Sequence, residues 1–167
     1  HRSAGKSVQF KGRSLVVEEL TDSSFEGIDI AFFSAGGGRS KEFASHAVSS
    51  GTLVIDNSSA FRMDPAVPLV VPEVNPDDIR WNKGIIANPN CSTIIMLMAV
   101  APLLSLAPIR RIVVSTYQAA SGAGAAAMQE LLDQTMAVAG GLTAEKNIFP
   151  HQIAFNLFSH NTTIGSD

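Results

Sequence analysis

A single cysteine occurs in the chain, and its neighbours make it a candidate for chemistry. Cys91 lies in Asn88-Pro89-Asn90-Cys91-Ser92-Thr93, directly ahead of the apolar run Ile94 to Val100. A polar, proline-containing turn followed by an apolar run marks a strand-to-helix junction. A thiol at a helix start faces unpaired N–H groups and the positive end of the dipole. Both favour the thiolate, the reactive form of cysteine. The alternative is a small buried apolar side chain. Arg62, in Asn57-Ser58-Ser59-Ala60-Phe61-Arg62, is a cation just past an expected strand end. Beside a reactive thiol it is a candidate anion clamp, and otherwise a surface arginine. Gln118 closes a β-branched run and is placed to hydrogen-bond a substrate carbonyl, or else serves as an edge-of-sheet amide. Asn90, with backbone N–H groups of the helix start, is a candidate stabiliser of a tetrahedral oxyanion.

The elements that must hold these residues alternate between strand and helix. Leu15–Leu20, Ile28–Phe33, Thr52–Asp56, Ile85–Ala87 and Ile109–Gln118 read as strands. Lys41–Ser49, a stretch from about Thr93 to Leu104, and Ala123–Val138 read as helices. Short apolar strands separated by helices imply βαβ units and a covered parallel sheet. Ligands of such sheets bind beyond the carboxyl ends of the strands. Three strand ends carry small or polar clusters: Ser34 to Gly38, Asn57 to Ser59, and Asn88 to Cys91. Each alone is an ordinary turn. Together, with the thiol in the last, they predict one shared crevice whose backbone N–H groups accommodate phosphate. Gly122-Ala123-Gly124-Ala125-Ala126-Ala127 fits the loose form of the dinucleotide fingerprint, but no second strand and acidic residue follow at the required distance. A loop touching a ligand at a helix start is the better reading of it.

Composition narrows the function classes. The chain has 167 residues, enough for a real core, with 46% hydrophobic and 16% charged residues and a net charge of −3. No basic patch suggests nucleic acid or a membrane surface. One cysteine excludes an internal disulfide framework and a multi-cysteine metal site. No histidine pair has metal-ligand spacing, so no metal is expected. There is no G-x-S-x-G, which speaks against a serine hydrolase. The run from Ile94 to Leu104 is too short to span a bilayer and contains Pro102. The chain begins His1-Arg2-Ser3 and stops at Gly165-Ser166-Asp167, from which a piece of a longer protein is expected.

Taken together, these segments resemble the aspartate-semialdehyde dehydrogenase family, in the form shared by plants and many bacteria. The likeness runs through Arg2-Ser3-Ala4-Gly5-Lys6, Phe33 to Gly37, Val54 to Met63, Val71 to Asn75, Asn88 to Ile94, Ser115 to Gly124 and Ala154 to Asn161. It implies an α/β fold. Residues 1–90 would form a partial doubly wound, Rossmann-like NADP domain, and residues 91–167 would begin an α+β catalytic and dimerisation domain. It implies NADPH-dependent conversion of L-aspartyl 4-phosphate to L-aspartate 4-semialdehyde with release of phosphate, supplying lysine, methionine, threonine and isoleucine synthesis. Cys91 would be the nucleophile and form an acyl-thioester. Gln118 would orient the substrate and Arg62 hold its phosphate. Arg2 and Ser3 would contact the adenosine 2′-phosphate, which implies NADP as the cofactor. Ser121 and Gly122 would contact the cofactor, with Ser34, Ala35, Gly36 and Asn57 lining its path. The family's assembly would be a homodimer or tetramer, soluble, in the cytoplasm or in a plastid stroma.

The family's opening Gly-rich loop and its downstream acid–base histidine are not found in this stretch, and His151 and His160 do not take that histidine's place. The isolated chain is therefore expected to lack full activity. Two rivals remain: N-acetyl-glutamyl-phosphate reductase, which shares acyl-phosphate chemistry, and a non-catalytic relative with a binding or assembly role.

Overall fold

The computed structural model describes residues 3–159. The chain divides into two compact units, one running to Arg111 and the other starting at Ile112.

The first unit opens with an antiparallel hairpin, β1 (Ser7–Phe10) and β2 (Arg13–Val16). Its two-residue turn has positive φ at both Lys11 (48°) and Gly12 (75°), the tight hairpin geometry that matches strand twist. The strand expected over Leu15–Leu20 therefore starts earlier and ends at Val16.

A parallel sheet follows, in the order β3 (Ile30–Phe33), β4 (Leu53–Asp56), β5 (Ile85–Ala87). The central strand β4, with neighbours on both edges, buries Val54 and Asp56 completely. Residues 68–70 add a short parallel bridge on the far side of β5, where Val70 donates to Ala87 and Ala87 to Pro68. Helix α1 (Gly37–Ser49) makes the β3-to-β4 crossover. It buries Ser40, Phe43, Ala44 and Ala47, the i, i+3, i+4, i+7 stripe of a helix packed on a sheet. Phe43 and Ala47 join Phe25 and Val54 in the core, with Phe33 and Ile85 at its edge. The Thr52 hydroxyl donates to the carbonyls of Phe25 and Ile28 and so closes the loop beneath the sheet.

Helix α2 (Cys91–Val100) leaves β5 after a three-residue turn and tightens at Ala101–Ser105, where Pro102 cannot continue the ladder. In the second unit, Ala120–Ala123 forms a single tight turn ahead of α3 (Ala125–Ala139). The strand expected over Ile109–Gln118 is not formed. A strand needs a partner ladder, and none of the described strands pairs with this stretch. Its β-branched side chains Val113 and Val114 stand 81% and 58% exposed, so propensity without a partner leaves the segment irregular.

Candidate functional site

The three parallel strands end side by side, and the residues after them form a hydrogen-bonded row. Ser34 follows β3, Asn57 follows β4 and Asn88 follows β5. The Asn88 carboxamide donates to the Asn57 side-chain oxygen at 2.7 Å, and Asn57 Nδ2 reaches Ser34 Oγ at 3.5 Å. The backbone continues the register, with Asn57 donating to Phe33 and Asn88 to Asp56. The clusters at Ser34–Gly38, Asn57–Ser59 and Asn88–Cys91 therefore stand together.

Arg62 ties the row from one side. Its Nε donates to the Asn88 carbonyl at 2.9 Å and its Nη2 to the Asn57 carbonyl at 3.1 Å. A planar guanidinium can hold two acceptors at once in this way. The cation is thus fixed to the same turn that, three residues on, carries Cys91.

Beneath the row lies Asp56, fully buried at the end of β4. Its carboxylate accepts the Ser40 hydroxyl at 2.6 Å, the Ser58 hydroxyl at 2.8 Å and the Ser58 N–H at 3.2 Å. The Ser58 oxygen in turn accepts the Ala60 N–H. Asp56 thereby joins α1 to the turn that presents Asn57 and Arg62. A buried carboxylate persists only where donors converge on it.

Cys91 is the first residue of α2 and is exposed. Asn90 is the helix N-cap, its Oδ1 accepting the Ser92 N–H at 2.9 Å. With the oxygen so used, the amide nitrogen is the part of Asn90 left to donate to a ligand. Ser34, Ala35 and Gly36 are exposed in the loop entering α1. Gly36 has φ of +91°, a conformation side chains rarely adopt, and a Cβ built at Gly36 or Gly38 meets no heavy atom within 4 Å. The loop's outer face is therefore open to a close-approaching ligand.

In the second unit Gln118, Ser121 and Gly122 share one short stretch. Gln118 and Gly122 line a cavity of about 470 Å3 together with Thr116, Tyr117, Phe149 and Ile153. Ser3 lies in the turn ahead of β1, its carbonyl accepting from Lys6. Arg2, expected to contact the cofactor, lies outside the described residues. Among the described residues no group of three or more metal-ligating side chains converges, and no helix is long and apolar enough to cross a membrane.

Sequence reasoning missed the polar residues that hold these segments. Asp56, Ser40, Glu130 and Gln134 carry no spacing signal, because their partners are distant in sequence or are backbone groups. A buried-type position occupied by aspartate at a strand end was the one available hint at Asp56.

Comparison with known proteins gives the relationship. Residues 1–82 match the family model described as semialdehyde dehydrogenase, NAD binding domain. Residues 100–167 match the model described as semialdehyde dehydrogenase, dimerisation domain. The chain is 58% identical over 163 residues to aspartate-semialdehyde dehydrogenase of Aquifex aeolicus, covering 95% of this chain and 48% of that protein. It is 51% identical over 163 residues to the enzyme of the same name from Synechocystis, covering 98% of this chain and 48% of that protein. A crystal structure of aspartate semialdehyde dehydrogenase II from Vibrio cholerae, complexed with ASA, superposes with a TM-score of 0.83 at 49% identity. That match covers 93% of this chain and 47% of the other. The chain thus spans about half the length of the relatives it matches.

Proposed function

The chain belongs to the semialdehyde dehydrogenase family, and from that membership and the strand-end geometry we propose that the whole protein reduces L-aspartyl 4-phosphate to L-aspartate 4-semialdehyde with NADPH, releasing phosphate. The observation that carries the reading is the joint anchoring of Arg62 and Cys91 on the turn after β5.

Each residue has a part that its position allows. The Cys91 sulfur attacks the acyl carbon, the carbonyl oxygen takes up negative charge, and the carbon–oxygen bond to phosphate breaks to leave a thioester. Arg62 neutralises the departing phosphate, its guanidinium held still by two backbone carbonyls. The Asn90 amide nitrogen and N–H groups of the α2 start donate to the oxyanion. Gln118 hydrogen-bonds and orients the substrate. Ser34, Ala35, Gly36 and Asn57, with Ser3, Ser121, Gly122 and Arg2, hold the nucleotide; the open face over Gly36 and Gly38 suits a phosphate against backbone. A nicotinamide cofactor held by these residues would supply hydride chemistry, and Cys91 would carry the acyl group as the thioester to be reduced and be regenerated as the thiolate when the aldehyde leaves. NADP in place of NAD is the reading of Arg2-Ser3, and a homodimer or tetramer that of the dimerisation domain. The named relatives speak for this reaction over N-acetyl-glutamyl-phosphate reductase.

The decisive experiment incubates the whole protein with L-aspartyl 4-phosphate in the absence of reduced nucleotide, followed by peptide mass spectrometry. An aspartyl adduct on Cys91 is expected. An unmodified Cys91, with the enzyme otherwise competent to turn over, overturns the assignment.

A further inference from the structure

We propose that Glu130 is a positioning residue for Gln118, acting through the segment 145–154; this rests on the reading of Gln118 as a substrate contact. Glu130 and Gln134 lie one turn apart on α3 and are both buried, at 7% and 2% exposure. Glu130 Oε2 accepts the N–H groups of Asn147 and Ile148, and Oε1 accepts that of Phe149. Gln134 Nε2 donates to Glu130 Oε1 and to the Glu145 carbonyl. Gln134 Oε1 accepts from Ile153 at 2.8 Å and from Ala154 at 3.3 Å. The segment has no strand or helix of its own, so these two side chains replace a ladder.

What they fix is the ring of Phe149. It packs with Ala120 and Ala127 in one buried cluster, edged by Leu131, Ile153 and Phe158. Ala120 begins the turn that contains Gly122, and the Gln118 carboxamide folds over Gly122. Gln118, Gly122, Phe149 and Ile153 all line the second unit's cavity. The sequence of contacts therefore runs from Glu130 to the N–H groups of residues 147–149, to the Phe149 ring, to Ala120, and to Gln118. Ala120 and Ala127 pack directly with the ring, so a shift of the segment is passed to the Gln118 turn.

The test is a double-mutant cycle on turnover in the whole protein, with Glu130→Gln, Gln118→Ala and the pair. Glu130→Gln keeps the side-chain shape but presents an amide to converging N–H donors. It is expected to lower kcat by about 10- to 100-fold, as an ångström-scale displacement does. It should divide between kcat and KM as Gln118→Ala does, and the pair should be no worse than Gln118→Ala within about twofold. Losses that multiply in the pair, or a Glu130→Gln variant with wild-type kcat beside an impaired Gln118→Ala, overturn the proposal. If Gln118→Ala alone leaves kcat and KM unchanged, the reading of Gln118 fails first and takes this proposal with it. Should Glu130→Gln not fold, Phe149→Leu keeps both buried polar side chains and alters only the ring on Ala120. A Gln118→Ala-like loss then supports the proposal, and unchanged turnover overturns it.

Discussion

The carboxamide of Gln118 lies over the α-carbon of Gly122, so close that a Cβ at position 122 would fall 1.7 Å from Gln118 Nε2 and 2.6 Å from its Cδ. The absence of a side chain at 122 thus makes room for this Gln118 rotamer. Gly122 is not among the glycines with positive φ, so the backbone itself accepts an L-residue.

Gly122→Ala should therefore change activity with little change in stability. The new methyl pushes the exposed Gln118 side chain aside and leaves the buried cluster of Ala120 and Phe149 untouched. Turnover of the whole protein is expected to fall about tenfold or more, with the melting temperature within about 2 °C of wild type. Steady-state kinetics beside a thermal melt check this; wild-type turnover would show that the Gln118 rotamer does not matter.

Arg62→Lys should weaken phosphate handling and disturb the Cys91 turn together. One ammonium cannot reproduce the paired reach to the Asn57 and Asn88 carbonyls. In the direction that consumes semialdehyde and phosphate, the KM for phosphate should rise about tenfold, with a smaller fall in kcat. An unchanged phosphate KM would remove Arg62 from the anion site.

Asp56→Ala should destabilise the first unit. It strips the shared acceptor from the Ser40 hydroxyl, the Ser58 hydroxyl and the Ser58 N–H in a buried place. Leaving such donors unsatisfied costs about 2–4 kcal/mol. Denaturant unfolding measures it, and a midpoint equal to wild type would mean that water replaces the carboxylate.

Much of the arrangement was legible in the chain because it rests on short-range chemistry. The turn Asn88-Pro89-Asn90 before an apolar run announced the junction at Cys91, and α2 begins there. The three polar strand ends announced a common row because parallel strands must end together, and Ser34, Asn57 and Asn88 do touch. The extended run Ile109–Gln118 misled because β-branching reports a preference, whereas a strand also requires a neighbour. The hairpin at Ser7–Val16 was hidden since its residues are all exposed and no alternation marks an inner face. Glu130 and Gln134 were invisible for a different reason. On a helix a Glu and a Gln four apart read as a solvated face, and only the fold turns that face inward onto residues 145–154.

Glu130 also gives the second unit a pH dependence whose sign follows from its surroundings. Burial raises the carboxyl pKa, and the N–H groups of Ile148, Phe149 and Asn147 lower it; the balance lies below the ordinary value of 4.5. The folded carboxyl is therefore the stronger acid, and its stabilisation is complete above the unfolded value of 4.5. Below that, the unfolded chain takes up a proton while the folded one stays ionised, and the contribution fades until the folded group is protonated too. Unfolding free energies of wild type and Glu130→Gln, measured from neutral pH down to about pH 3, should converge as the pH falls. A gap that stays constant across that range would mean that the charge on Glu130 has no part in holding residues 147–149.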